Sequence, residues 1–196
     1  MIPVGPLLAA VLAAGMTASE WTAYPVAQAP AELRPAMQRG DLVIVALQSA
    51  VLRELTAAMA EGGPEHALLS CHLDAVAVSR AVSRREGVEA GRTSARLRNI
   101  RNAPRPWAAA IVARYDGKDP RDAGGFVVDL GDRVGLVRPI VEQPICAACH
   151  GPVEKISPAV KAALEARYPA DRAVGFDNGD LRGWFWVEVP KQPRAR

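Results

Sequence analysis

Residues 146–151 read Cys146-Ala147-Ala148-Cys149-His150-Gly151. The residue types and spacing of this stretch indicate one specific covalent chemistry. Two thiols three positions apart lie one helical turn from each other, so each can add to one of two vinyl groups on neighbouring edges of a haem. A histidine directly after the second thiol falls beneath the iron, where a neutral imidazole can bind it. The spacing therefore predicts one covalent haem c per chain, anchored by Cys146 and Cys149, with His150 as proximal iron ligand.

Two other uses of this motif compete with haem attachment. A zinc site needs four ligands, and the chain supplies only one further cysteine and two further histidines, without a second C-x-x-C or an H-x3-H pair. A thioredoxin-type disulfide requires the motif after a strand of a βαβ unit, and no such pattern surrounds it. Haem attachment is the favoured interpretation, with zinc or a redox dithiol as the alternative.

The first 19 residues carry no charged side chain and contain a compact apolar run at residues 7–14, followed by small residues. This pattern is typical of a secretory signal peptide and is too short for a mature membrane span. Its amino-terminal part offers no Lys or Arg, which departs from the usual signal-peptide pattern. An uncleaved leader that anchors the chain in a membrane is the alternative. Because c-type cytochromes generally receive haem outside the bacterial inner membrane, the leader predicts a periplasmic or otherwise exported protein.

Composition limits the remaining possibilities. Without the leader, about 175 residues are left, which suits one domain with a real core. The net charge of +3 comes almost wholly from scattered arginines. No long basic face with interleaved aromatic residues is present, which disfavours nucleic-acid binding. Residues 190–196 are predicted to be a disordered tail.

Hydrophobic periodicity predicts a helical first half. One helix is expected over residues 31–60 and a second over residues 64–84, separated by Gly62-Gly63-Pro64. Two helices joined by so tight a turn should pack as an antiparallel hairpin. The apolar stripe of the first helix is Leu33, Met37, Leu42, Val45, Leu47, Val51, Leu52, Leu55 and Met59.

The second half alternates short helices with strands. Strands are predicted over residues 126–130, 134–141 and 181–189, and a turn at 130–133 joins the first two. A short helix is expected at 107–115, and another at 157–168, with Ser157 as its cap. Helices followed by an antiparallel sheet indicate an α+β domain.

The third cysteine, Cys71, falls on the second predicted helix beside His72. It could be a buried small hydrophobic residue, or one of the two neighbours could reach the iron as its distal ligand. Adjacent residues of a helix point about 100° apart, so at most one of them can do so.

Several motifs occur together with the haem motif. Gly87-Val88, Arg92-Thr93-Ser94, Leu97-Arg98-Asn99, Asn102-Ala103-Pro104-Arg105-Pro106-Trp107 and Gly179-Asp180-Leu181-Arg182-Gly183 follow one another in that order along the chain. In combination they resemble the exported, single-haem c-type family with a PAS-like domain, over about residues 31–189. The resemblance implies a PAS-like antiparallel sheet with an amino-terminal helical hairpin and a covalently attached haem. It also implies His150 as proximal ligand and a cysteine, here Cys71, as distal ligand, while the adjacent His72 keeps a second possibility open.

Arg92, Arg98 and Arg182 are candidate partners of the haem propionates, because guanidinium forks match carboxylates. For Arg92 and Arg98 the alternative is a solvated loop whose arginines only keep the surface polar, and for Arg182 it is a contact with Asp180.

Two functions follow from these residues. The favoured one is a non-enzymatic haem protein that acts in redox or small-ligand sensing or in electron transfer, and needs a redox or signalling partner protein. A thiolate opposite a histidine would favour ferric iron and a low reduction potential. The alternative is a haem enzyme such as a peroxidase, whose open distal site would use His72 and an arginine as acid and base.

Overall fold

A computed structural model describes residues 21–192, apart from the side chains of residues 69–76 and 78. Within this part of the chain, the helices and strands are β1 (Ala23–Pro25), α1 (Arg34–Glu86), β2 (Glu89–Thr93), α2 (Ala109–Arg114), α3 (Pro120–Ala123), β3 (Phe126–Asp129), β4 (Arg133–Val141), α4 (Ala147–His150), α5 (Pro158–Arg167) and β5 (Leu181–Pro190). The predicted α+β class is confirmed. The predicted leader lies outside the described residues, as do residues 193–196 of the predicted tail.

Helix α1 bends at the predicted Gly-Gly-Pro break. Gly62 and Gly63 leave helical geometry, and Gly63 has φ 70° and ψ −165°, a conformation open almost only to glycine. Val82, beyond the bend, lies in the same buried cluster as Leu47, before it. In a straight helix these two residues would be about 50 Å apart, so the second arm of α1 doubles back, as the helical hairpin requires.

The sheet has the strand order β1-β3-β4-β5-β2, and every neighbouring pair is antiparallel. The predicted hairpin of β3 and β4 is present, and its turn is closed by the Leu130 N–H, which donates to the Arg133 carbonyl at 3.0 Å. Both edge strands, β1 and β2, were absent from the sequence prediction. The second of them pairs with β5 from Glu89 opposite Glu188 to Thr93 opposite Trp184.

Each face of the sheet has its own core. Alternate residues of the strands, among them Leu136 and Val187, pack against α1. The residues between them, among them Val137 and Trp184, pack against the Trp107 segment and α2. Because side chains alternate along a strand, one sheet serves both layers.

The prediction of which residues form the buried face of α1 was partly wrong. Leu42 and Val45 are 72% and 59% exposed, whereas Val43, Ile44 and Leu47 are buried against the sheet. The helix is apolar around much of its circumference, so periodicity alone could not identify the buried face. The helical segment Ala31–Leu68 is long and apolar enough to cross a membrane, by length and composition only. The core helix of a soluble domain can have the same length and composition.

Candidate functional site

The Cys-x-x-Cys-His motif lies between β4 and α5 on a short helical turn. A 3-10 turn over Pro144–Cys146 leads directly into α4. Both motif cysteines are half-buried thiols. Together with His150 they line one cavity of about 380 Å³. The turn thus brings the three groups of the motif to one wall.

His150 is oriented through its Nδ1 atom, which lies 2.7 Å from the Ala173 carbonyl oxygen. A carbonyl only accepts hydrogen bonds, so Nδ1 carries the proton and Nε2 keeps a lone pair. Burial, and then the charges of Arg182 and Arg98, hold the pKa of His150 well below its ordinary value. The ring is therefore a neutral imidazole of the kind that binds metals.

Arg98 reaches the same region from the loop after β2. Its Nε donates to Asp171 at 2.9 Å, and its Nη2 donates to the carbonyls of Cys149 and Ala173. Its Nη1 lies 3.5 Å from His150 Nε2. This arginine is thus joined to the haem motif and to the loop that orients the histidine.

Arg182 enters the cavity from a β-bulge. The pairing of β4 with β5 passes from Gly183 to Leu181 and skips Arg182, and such bulges redirect side chains beside functional sites. A Cβ at Gly183 would overlap the Thr93 carbonyl oxygen, so the close approach of β2 requires glycine there. Arg182 Nε and Thr93 Oγ1 are buried without a hydrogen-bond partner among the described residues. Burial lowers the pKa of Arg182 to about 10.

Glu142, just after β4, also lines the cavity. It is 1% exposed, and neither carboxylate oxygen has a hydrogen-bond partner in the described part of the chain. Loss of hydration raises its pKa to about 7, although Arg182 and Arg98 act in the opposite direction. Glu142 was not among the site residues predicted from the sequence. The only sequence feature that marks it is its place directly after the apolar pair Ile140-Val141.

Both arms of α1 also line the cavity. Val51 and Met59 line the cavity before the bend, and Ala67 and Leu68 line it after the bend. Cys149 of the motif packs against the buried cluster that contains Leu68. The second arm and the motif therefore share one apolar cluster.

The structure brings six of the predicted site residues to one cavity: Cys146, Cys149, His150, Arg92, Arg98 and Arg182. The side chains of Cys71 and His72 lie outside the described residues, so the distal ligand stays a prediction. Among the described side chains, no group of three His, Cys, Asp or Glu is placed to hold a metal ion. Sequence reasoning missed Glu142, and it gave Asp171 no role.

A family model described as Tll0287-like matches residues 10–190 of the chain. Among solved structures, the chain is similar to the crystal structure of the cyanobacterial heme-protein Tll0287, with 23% identity and a TM-score of 0.58 over 85% of this chain and 99% of that one. At this identity, the likeness shows the fold. No curated protein matches the chain. The family expected from the motifs is confirmed, because the matched region contains all of them: the chain belongs to the Tll0287-like family.

Proposed function

We propose that this chain is an exported c-type haem protein, in which Cys146 and Cys149 carry one haem and His150 binds its iron. One observation carries the proposal: a single cavity is lined by both thiols and by a neutral imidazole whose Nε2 carries no proton. The name of the solved relative, a heme-protein, supports the same cofactor.

The residues around the cavity fit a haem. Apolar side chains of α1 line the cavity and suit the macrocycle. Arg182 Nε and Thr93 Oγ1 are buried donors without partners among the described residues. Propionates are carboxylates, which accept hydrogen bonds from such donors. We assign them to Arg182, together with Arg92, which lines the same cavity. A bound haem supplies an iron that passes between the ferric and ferrous states.

Cys71 is the proposed distal ligand. It follows Ala67 by four positions and Leu68 by three on the second arm of α1, and both of those residues line the cavity. Residues three and four apart share a helix face. His72 follows Leu68 by four positions but Ala67 by five, so it shares a face with only one of the two. This spacing favours Cys71 over His72 as the distal ligand.

The proposed role is redox or small-ligand sensing, or electron transfer, outside the cytoplasm. A thiolate from Cys71 opposite His150 would stabilise ferric iron and lower the reduction potential. The apolar, uncharged leader at residues 1–19 supports export. Either role requires a redox or signalling partner protein.

Absorption spectroscopy of the exported protein, produced with haem-maturation machinery, tests this proposal. We expect a Soret band, a low-spin ferric form with a thiolate charge-transfer band, and haem that stays on the chain after denaturing electrophoresis. The double variant Cys146→Ser, Cys149→Ser should lose the covalent haem. The single variant Cys71→Ser should keep the covalent haem and lose both the charge-transfer band and the low-spin ferric form.

Two results would contradict the proposal. A colourless parent protein would return the three motif residues to a zinc or thiol role. A high-spin ferric parent protein would remove Cys71 from the iron and bring the enzymatic alternative forward.

A further inference from the structure

Arg98 is held by groups that surround the haem motif. Its side chain and that of Asp171 are each 11% exposed and form an ion pair of 2.9 Å. The Nη2 atom of the same guanidinium donates to the carbonyls of Cys149 and Ala173. A planar guanidinium whose Nε and Nη2 are both bonded has a fixed orientation.

Ala173 is the point at which Arg98 and His150 meet. Its carbonyl accepts from both His150 Nδ1 and Arg98 Nη2, and its N–H donates to Asp171 Oδ1 at 2.8 Å. The backbone of Ala173, whose carbonyl orients the imidazole, is therefore itself held on both sides by the Arg98–Asp171 pair. A displacement of this pair would move the acceptor of the His150 hydrogen bond.

We propose that Arg98 and Asp171 form a clamp that orients the His150 imidazole and sets how strongly it donates electrons to the iron. The inference rests on the proposed haem site and deepens it. Arg98 and Asp171 are positioning residues that act through Ala173. For Arg98 this role replaces the propionate contact expected from the sequence.

One contact of the clamp reaches the iron-binding nitrogen. Arg98 Nη1 lies 3.5 Å from His150 Nε2, and it has to give way when that nitrogen binds a metal. The bonds from Nε and Nη2 of Arg98 go to other acceptors. Groups that fix the second nitrogen of a metal-binding histidine also tune its strength as a ligand.

The test uses the double variant Arg98→Gln, Asp171→Asn in the haem-loaded protein. It removes the ion pair without a change in net charge and without an unpaired buried ion. The matched control is Arg138→Gln, Asp41→Asn, a bidentate pair with bonds of 2.7 Å, neither member of which lines the cavity. The readouts are the ferric electron paramagnetic resonance spectrum and the reduction potential, with circular dichroism and haem content as checks on folding.

We expect the ferric electron paramagnetic resonance signals of the clamp variant to broaden and their g-values to shift, because the imidazole ring loses its single orientation. The reduction potential should become more positive, because a looser Nδ1 hydrogen bond makes the imidazole a weaker donor to ferric iron. The control variant should match the parent in both readouts. A folded clamp variant that carries less covalent haem than the control would also support the clamp.

Parental g-values and potential in the clamp variant would overturn the inference. If the double variant does not fold, Arg98→Lys tests the clamp by the same spectrum and potential. Lysine keeps the positive charge but lacks the planar guanidinium that bonds to Asp171 and to the carbonyls together. A colourless parent protein would end the proposed function itself. A red parent protein whose variants are unchanged would end only the clamp.

Discussion

Glu142 is a carboxyl group that is buried without a hydrogen-bond partner among the described residues. Loss of hydration raises its pKa from 4.5 to about 7. Since the pKa in the folded state lies above that of the unfolded chain, the folded state binds the proton more tightly. This contribution to stability is complete below pH 4.5 and is lost as the pH rises through about 7.

Glu142→Gln should remove this pH dependence. Relative to the variant, we expect the free energy of unfolding of the parent to fall by about 3 kcal/mol as the pH rises through that interval. Denaturant unfolding of both proteins at equal haem content, over a series of pH values, measures the difference. Glu165→Gln, at an exposed position, is the control and should follow the parent. Parallel curves for the parent and Glu142→Gln would contradict the assignment.

Single residues also show how far sequence reasoning about the site reaches. Cys146, Cys149 and His150 could be grouped from one local spacing, and they line the same cavity. The groups around the histidine could not be identified in this way, because the acceptor at Ala173 is a backbone carbonyl that any residue carries. Asp171 meets Arg98 across 73 positions of the chain, a distance that local patterns do not span.

The bend of α1 is the element whose geometry depends most directly on one backbone conformation. Gly63 has φ 70° and ψ −165°, whereas Gly87, at the end of the same helix, has φ 66° and ψ 29°. Asparagine tolerates the second conformation but not the first. Gly63→Asn should therefore destabilise the protein by about 1–3 kcal/mol, and Gly87→Asn by much less.

Thermal or denaturant unfolding of the two variants measures these losses of stability. The same substitution at both positions makes the two values directly comparable. Neither site places a built Cβ closer than 3.8 Å to a neighbouring atom, so a steric clash does not confuse the result. Equal losses of stability in the two variants would show that the bend does not depend on the conformation of Gly63.

Elements with a strong local signal were predictable, and those defined by their partners were not. Helix α5 begins at Pro158 with the Ser157 hydroxyl capping the Val160 N–H at 3.2 Å, as its cap sequence indicated. Strand β2 has no alternation of apolar and polar residues. It forms because β5 offers it a pairing edge and because Gly91 lets the Trp186 ring lie against its backbone, with a built Cβ only 2.9 Å from that ring.

At the scale of the whole molecule, the cavity is formed by segments that are far apart in the chain. The motif follows β4, the Arg182 bulge lies in β5, and both arms of α1 also line the cavity. A site assembled from so many segments depends on the complete domain. This agrees with a family match that spans residues 10–190.

The most direct test of the central claim is the intact mass of the exported protein under denaturing conditions. Non-covalent cofactors are removed there, while thioether-linked haem stays on the chain. The account predicts a polypeptide that carries the mass of one haem, and the bare polypeptide mass for Cys146→Ser, Cys149→Ser. A parent protein that shows only the bare polypeptide mass after maturation would contradict covalent haem attachment.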